Sequence, residues 1–331
     1  MLEYSARVRK IIHRPCRVPA VPNALQHCGA VFPRLTHVVL KFQGCIVPHA
    51  LASSPYLQHI SISNRLSTTL RPIGRLQKNS DAAALFLYHA RTQAPGIHTL
   101  SIKGGCSANL KVAIASYTQL RHLSVHTSSF DLDTFAAIAA FPFLEKLDLS
   151  VSLGVGEIEA HIEPSSAIFP ALRSLTLQTY GWVVEAILSL LPVDTLTELH
   201  LEMNGSGKGP GYMRNIFQCL VDRTSGSLRE LQVTDRTDHE VLEDTGITQW
   251  YDLDLIRPLA ALKTLRRFTL RDSSLIDADL PVIAQWWPTL EHLDLSGESS
   301  LTPAAHSIVA SSSPHLSFVS LQTSCTFPEY S

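Results

Sequence analysis

An α/β solenoid is the fold class this sequence predicts, with a curved parallel sheet on a concave face, helices on a convex face and about eleven repeats. Two observations carry that expectation. An apolar frame, L-x-x-L-x-L, returns along nearly the whole chain, and segments of helical periodicity lie between its copies. A third agrees with them: the residues between the apolar positions, which play no part in finding the frame, are almost all polar.

The frame is plainest in FPFLEKLDLS (141–150) and WPTLEHLDLS (287–296). Its eleven copies open at Leu35, Leu57, Ile97, Leu120, Leu144, Leu172, Leu196, Leu228, Leu265, Leu290 and Leu316. The mean step is about 28 residues, a length that holds one strand, a turn and a returning helix. Seven copies place a proline two residues before the first apolar position: Pro33, Pro55, Pro95, Pro142, Pro170, Pro288 and Pro314. Proline lacks an N–H and disfavours helix in the residue before it, so it ends one element ahead of the next strand.

Between the frames, 131–141, 180–192, 212–223, 253–265 and 278–287 carry apolar residues three and four apart, as one buried helical face requires. Asp131 and Asp133 stand where a helix N-terminus favours a capping carboxylate. No such unit buries its apolar face alone, so stacking builds the core; eleven strands about 4.8 Å apart make a sheet roughly 50 Å long. Three steps are irregular. RLSTTLRPIGRLQKNS (65–80) reads as an extra loop or a degenerate turn, 204–211 as a glycine-rich excursion, and 234–254 as an acidic insertion. Only Asn204 stands three residues past a frame, so no asparagine ladder orders these turns. Residues 1–31 read as an N-terminal capping segment, 32–323 as the repeat domain and 324–331 as a tail.

Composition bounds the function classes. The 331 residues are 45% hydrophobic and 17% charged, enough to bury a large core. A formal net charge of −2 gives no overall pull toward nucleic acid or an anionic membrane, and neither partner is expected. No apolar run stands behind the basic N-terminus and none reaches membrane-spanning length, which points to a cytoplasmic or nuclear monomer. The six cysteines are scattered without a CxxC pair and read as reduced thiols, mainly buried.

Strand alternation sorts the remaining residues by face. With the second and third apolar positions inward, their neighbours point to the concave side, and all but Val39 and Phe318 are polar or charged. The candidate partner-binding residues there are Lys146, Asp148, Glu198, His200, Glu202, Glu230, Arg267, Arg271, His292 and Asp294. Such mixed charge suits recognition of a protein, where it gives specificity more than affinity. Six histidines share the face: His37, His59, His122, His126, His200 and His292. Adjacent-strand pairs of His and Cys do not appear, so no metal site is expected, while a pH-responsive surface is conceivable.

Chemistry was sought in four other places. GSGKGPG (205–211) resembles a phosphate loop, but Gly209 stands where the hydroxyl residue belongs. The carboxylates of 235–254 lack the spacing and central glycine of a calcium loop. Trp250 and Tyr251 read either as a partner anchor or as core, and Trp286–Trp287 as packed core. No nucleophile elbow, zinc helix or dinucleotide fingerprint is present, so no enzyme activity and no cofactor are expected.

The frame resembles leucine-rich repeat proteins from about residue 30 to 323. LEYSARVRKI (2–11), with its Tyr-x-x-x-Val-Arg stretch, resembles the segment that follows the F-box in fungal F-box/leucine-rich-repeat proteins, as do the prolines before the frames. In that family the F-box binds a Skp-type adaptor of a cullin ubiquitin ligase and the repeats hold the substrate. The resemblance implies a non-enzymatic substrate-holding region, with Skp-type adaptor and cullin as partners only if an F-box lies upstream of Met1. A repeat scaffold or regulator with no ubiquitin link is the other reading.

Overall fold

The structure, a computed structural model, describes residues 7–13, 32–41, 49–64, 73–127, 130–151, 168–203, 210–235, 251–297 and 300–323. Contacts gather into two compact units, Met1–Ala171 and Leu172–Ser331. The first holds β1 (Lys10–His13), β2 (His37–Lys41), β3 (His59–Ser63), β4 (Thr99–Lys103), β5 (His122–His126) and β6 (Lys146–Ser150), all parallel and paired in chain order. The second holds β7 (Ser174–Thr179), β8 (Glu198–Met203), β9 (Glu230–Asp235), β10 (Arg267–Leu270), β11 (His292–Leu295) and β12 (Phe318–Leu321), parallel in the same way.

Register follows the apolar frame. Val38, Ile60, Leu100, Leu123 and Leu147 stand side by side in the first unit, and Leu175, Leu199, Leu231, Phe268 and Leu293 in the second. None of these ten is more than 2% exposed. A one-residue slip of any strand would carry its whole apolar set to the solvent side, so the pattern itself fixes the pairing.

Among the described residues twelve strands stand where eleven frames predict eleven. The extra one, β1, lies inside the segment read as an N-terminal cap and pairs Lys10–His13 with His37–Leu40. It departs from the L-x-x-L-x-L frame because His13 fills the position of the third leucine. Burial pushes the pKa of His13 below the ordinary histidine value.

The prolines do more than stop a helix. The amides of Leu35, Leu57, Leu290 and Leu316 donate to the carbonyls of Phe32, Ser54, Trp287 and Ser313 at 3.0–3.2 Å, closing four-residue turns with proline second. Its fixed φ suits that position. One carbonyl then accepts two amides of the next repeat: Thr36 O from Gln58 and His59, Arg121 O from Glu145 and Lys146, Arg229 O from Arg266 and Arg267. Arg9 O receives Thr36 and His37 in the same manner, which marks β1 as a true repeat.

Helices α1 (Ile73–Gln93), α2 (Ala108–Ala115) and α3 (Leu132–Ala139) complete the first unit. The second has α4 (Gly181–Leu190), α5 (Pro210–Thr224), α6 (Leu253–Ile256), α7 (Leu280–Trp286) and α8 (Ala305–Ser312). Asp131 caps α3 by accepting the Thr134 amide at 3.0 Å, as its position predicts. Two expectations are corrected. Residues 73–80 are the opening turns of α1 rather than a loop, held by a buried face of Ser80, Ala83, Ala84, Leu87 and Ala90 that continues downstream. The helix expected over 253–265 is one α turn followed by a 3-10 segment, Arg257–Ala261. Pro258 within it has no N–H to continue the α ladder and crowds the carbonyl four residues back.

An asparagine orders one turn after all. Asn64, buried two residues past its frame, donates its side-chain amide to Gly105 O at 2.6 Å. Asn204 and residues 205–209 lie outside the described residues, whereas Pro210 and Gly211 open α5, where proline's missing N–H costs nothing.

The cores are apolar and hold aromatic pairs: Phe135 against Phe169 at 5.7 Å, Phe217 against Tyr251 at 6.2 Å and Phe268 against Trp287 at 4.6 Å. Tyr251 is 2% exposed, so it is a core residue and not a surface anchor. Trp287 is buried with its indole N–H donating to Leu259 O at 3.0 Å, whereas Trp286 is only half-buried. Cys106 is buried and Cys219 partly so, both as free thiols. Burial pushes the Cys106 thiol up to about 12 and raises that of Cys219. Among the described residues no helix is long and apolar enough to cross a membrane.

Candidate interaction face

The alternation that buries the frame leaves every second strand residue at the surface. β2, β3, β4 and β5 all run partly exposed, buried, partly exposed, buried from their first residue. In the first unit the outward residues include Lys10, Lys41, Lys103 and Lys146, histidines 37, 59, 122 and 126, and a single carboxylate, Asp148. In the second they include Glu198, Glu202, Glu230 and Asp294, with Arg267 in β10 and Arg271 just past it, and His200 and His292.

Asp148 is held from β5. Its Oδ2 lies 2.7 Å from His126 Nε2 and accepts the Ser124 hydroxyl at 2.8 Å, because the parallel register sets Ser124 opposite Asp148 and His126 opposite Ser150. Burial alone would raise its pKa, but the bonds from His126 and Ser124, with the charges of His126 and Lys103, take it below the usual carboxylate value. Serine, histidine and aspartate meet here without the order of a hydrolytic triad. The hydroxyl donates to the carboxylate and not to the imidazole, so no base is placed to activate it. Lys146, one alternation away on β6, is exposed.

Glu230 is clasped from both sides. Its Oε1 is 3.0 Å from His200 Nε2 on β8, and its Oε2 is 3.5 Å from Arg267 Nη1 on β10. Glu202 accepts the side-chain amide of Gln178 at 3.2 Å. Glu198 stands opposite Glu230 in register, two like charges on one strand pair. His292 packs on the exposed Phe318 ring at 5.7 Å, Asp294 keeps one carboxylate oxygen buried, and Arg271 is exposed. Of the ten residues expected from the sequence, the structure thus brings His200, Glu230 and Arg267 together and gives Asp148 partners outside the expected set.

One expectation about histidine fails. His37 and His59 are opposite in register, with rings stacked at 4.0 Å and 8° between planes, and His98 meets His59 edge-on at 4.8 Å. The signal was in the sequence, since both open the outward column of consecutive frames; His98 sits one residue earlier in its own frame and follows no outward pattern. Even so, no group of three or more His, Cys, Asp or Glu suited to a metal ion occurs among the described residues. Burial, then the charges of His37, His98 and His122, lower the pKa of His59. Burial, then Lys146, lowers that of His122, with Glu145 opposing.

Trp250 and residues 236–250 of the acidic insertion lie outside the described residues, as do 324–331 and the stretch 1–6 that carries the tyrosine of the N-terminal resemblance.

No family model and no curated protein matches the chain. Solved structures do. TLR13, in its complex with ssRNA13, is similar over 96% of this chain at a TM-score of 0.54 and 15% identity; the match spans only 39% of that longer chain. Internalin InlF from Listeria monocytogenes is similar over 98% of this chain and 89% of its own, at 14% identity and a TM-score of 0.42. A Bacteroides fragilis protein is similar over 83% and 68%, at 15% identity and 0.44. The likeness to TLR13 and the twelve parallel repeat strands give this chain the α/β leucine-rich-repeat solenoid fold.

Proposed function

We propose that this chain is a non-enzymatic recognition module, holding a protein partner on the outward strand face of residues 32–323. The observation that carries the reading is the division of labour along every inner strand. The frame residues fill the core, while the residues between them, Val39 and Phe318 apart, are polar, reachable and different from repeat to repeat. Mixed charge at Glu198, Glu202, Glu230, Arg267 and Arg271 suits a protein surface of opposite pattern. The acidic and imidazole groups hold one another across strands rather than a nucleophile, which supports a binding role over catalysis.

A finer reading makes the module the substrate-holding part of an F-box-type ubiquitin ligase receptor. Its support is the Tyr-x-x-x-Val-Arg stretch, whose Arg9 leads directly into β1. A longer gene product should then co-purify with a Skp-type adaptor; purification without adaptor or cullin subunits favours a scaffold or regulator instead. The module itself is tested by reversing Glu198, Glu202 and Glu230 to lysine. Partner recovered by cross-linking in the native host should fall about tenfold or more, while the circular dichroism spectrum stays unchanged. Unaltered recovery from the folded variant removes this face from the binding site.

A further inference from the structure

The helices of the second unit carry a groove of about 470 Å³ in the seam between α4 and α5, lined mostly by polar side chains. Its longer wall is one stripe of α5. Asn215 is followed three, four, seven and eight residues on by Gln218, Cys219, Asp222 and Arg223, the spacing of a single helical face. Ser189, in the last turn of α4, and the exposed Val193 just past it form the other wall. We propose that this groove takes the side chain of a lysine presented by a partner protein, with its ammonium on Asp222. It is a second docking point, separate from the strand face proposed above.

Hydrogen bonds within the groove leave it rich in acceptors. Ser189 donates its hydroxyl to Ala186 O at 2.8 Å, so its oxygen is left to accept. Gln218 donates its side-chain amide to Asp222 Oδ1 at 2.8 Å. That bond fixes the carboxylate one helical turn away and leaves its Oδ2, with the Gln218 carbonyl, as acceptors. Arg223 donates Nη1 to Leu191 O at 3.4 Å, at the carbonyl end of α4, where positive charge is favoured. Cys219 lies half-buried among these groups. Burial, opposed by Arg223 and aided by Glu185 and Asp222, raises its pKa, so at neutral pH it is an uncharged thiol and no nucleophile.

Acceptors call for a ligand that donates. An ammonium brings three N–H donors and no acceptor, and Asp222 Oδ2 with the carbonyls of Gln218 and Asn215 can receive them. Its four-carbon stem suits the same groove, lying along Val193 and the thiol while the charge reaches the exposed carboxylate. The fork of a guanidinium wants both oxygens of a carboxylate, and Gln218 already holds one, so the compact ammonium fits better. A carboxylate ligand would meet Asp222 and the carbonyl end of α4 with like sign. The fit turns on these lone pairs and not on the net charge of the unit.

Disulfide exchange at Cys219 tests this on the full chain, because the thiol lies in the groove itself. The protein is equilibrated with cystamine, hydroxyethyl disulfide or dithiodipropionate, each with its own thiol at a fixed ratio, and Cys219 is read by peptide mapping. The ammonium tail should be captured about threefold more than the hydroxyl tail, or better, and the carboxylate tail least. Asp222→Asn should cancel that order. An excess of a capped alanine pentapeptide with a central lysine should lower the ammonium capture, and the same peptide with a central glutamate should not. Circular dichroism establishes that the variant is folded. Equal capture of the three tails, preference for the carboxylate, the same order in folded Asp222→Asn, or no competition by the lysine peptide overturns the proposal. Its failure leaves the strand-face reading standing, since no strand residue lines the groove.

Discussion

The two halves of this chain use one scaffold and dress it oppositely. On β1–β6 the outward face carries lysines and histidines with one carboxylate; on β7–β12 it carries four carboxylates with two arginines beside them. His126 holds Asp148 in the first, and His200 with Arg267 holds Glu230 in the second. Asp148 in the first is thus shared by a hydroxyl and an imidazole of one neighbouring strand, whereas Glu230 in the second is gripped from the strands on both sides. Function on such a scaffold lies in the outward residues of the strands, and their make-up differs between the halves.

The sharpest way to break the comparison is to attack what the halves share. Leu201 in β8 and Leu123 in β5 are 1% and 2% exposed, and either mutated to alanine should cost about 2–5 kcal/mol in urea unfolding. Their outward neighbours His200 and Ser124 mutated to alanine should cost under about 1 kcal/mol. Similar losses at inward and outward positions would contradict the division of labour. Next in size is the α3 cap: Asp131→Ala should lose about 1 kcal/mol and Asp131→Ser much less, because serine also accepts the Thr134 amide.

Smaller effects separate the halves by pH. The folded-state pKa of Asp148 is depressed, so its contribution is present above the unfolded value of about 3.8 and lost as pH falls through the folded one. Asp148→Asn should lower stability near neutrality, flatten the profile below about pH 4 and converge with the parent protein in acid. For His59 and His122 the folded pKa is lowered, so the neutral ring is favoured on folding. Their contribution is full above about pH 6.5 and lost as pH falls through the folded values. His59→Gln with His122→Gln should flatten thermal unfolding between about pH 6.5 and 5.

Nearly all of the repeat architecture was legible in the sequence, because a leucine in the wrong register exposes a whole strand and evolution of the pattern leaves little slack. What escaped had weaker pattern and stronger context. β1 lacks its third apolar residue, yet Arg9 O and the free edge of β2 recruit it into the ladder. The start of α1 is polar, and its helicity follows from the buried face downstream. The face of each candidate residue was legible from alternation alone. Its partner was not, since whether Glu230 meets His200 depends on side-chain reach across strands, which spacing does not encode. The stacked pair His37–His59 was legible in principle, being the same position in consecutive frames.

Lysine footprinting tests the central claim most directly. The full chain is acetylated alone and in complex with the partner recovered by cross-linking, and each lysine's modification is read by mass spectrometry. If the outward strand face is the docking surface, Lys41, Lys103 and Lys146 become protected while Lys78 on α1 and Lys263, which donates to Trp286 O at 3.1 Å, react as before. Protection of Lys78 or Lys263 with the strand lysines unchanged would contradict it.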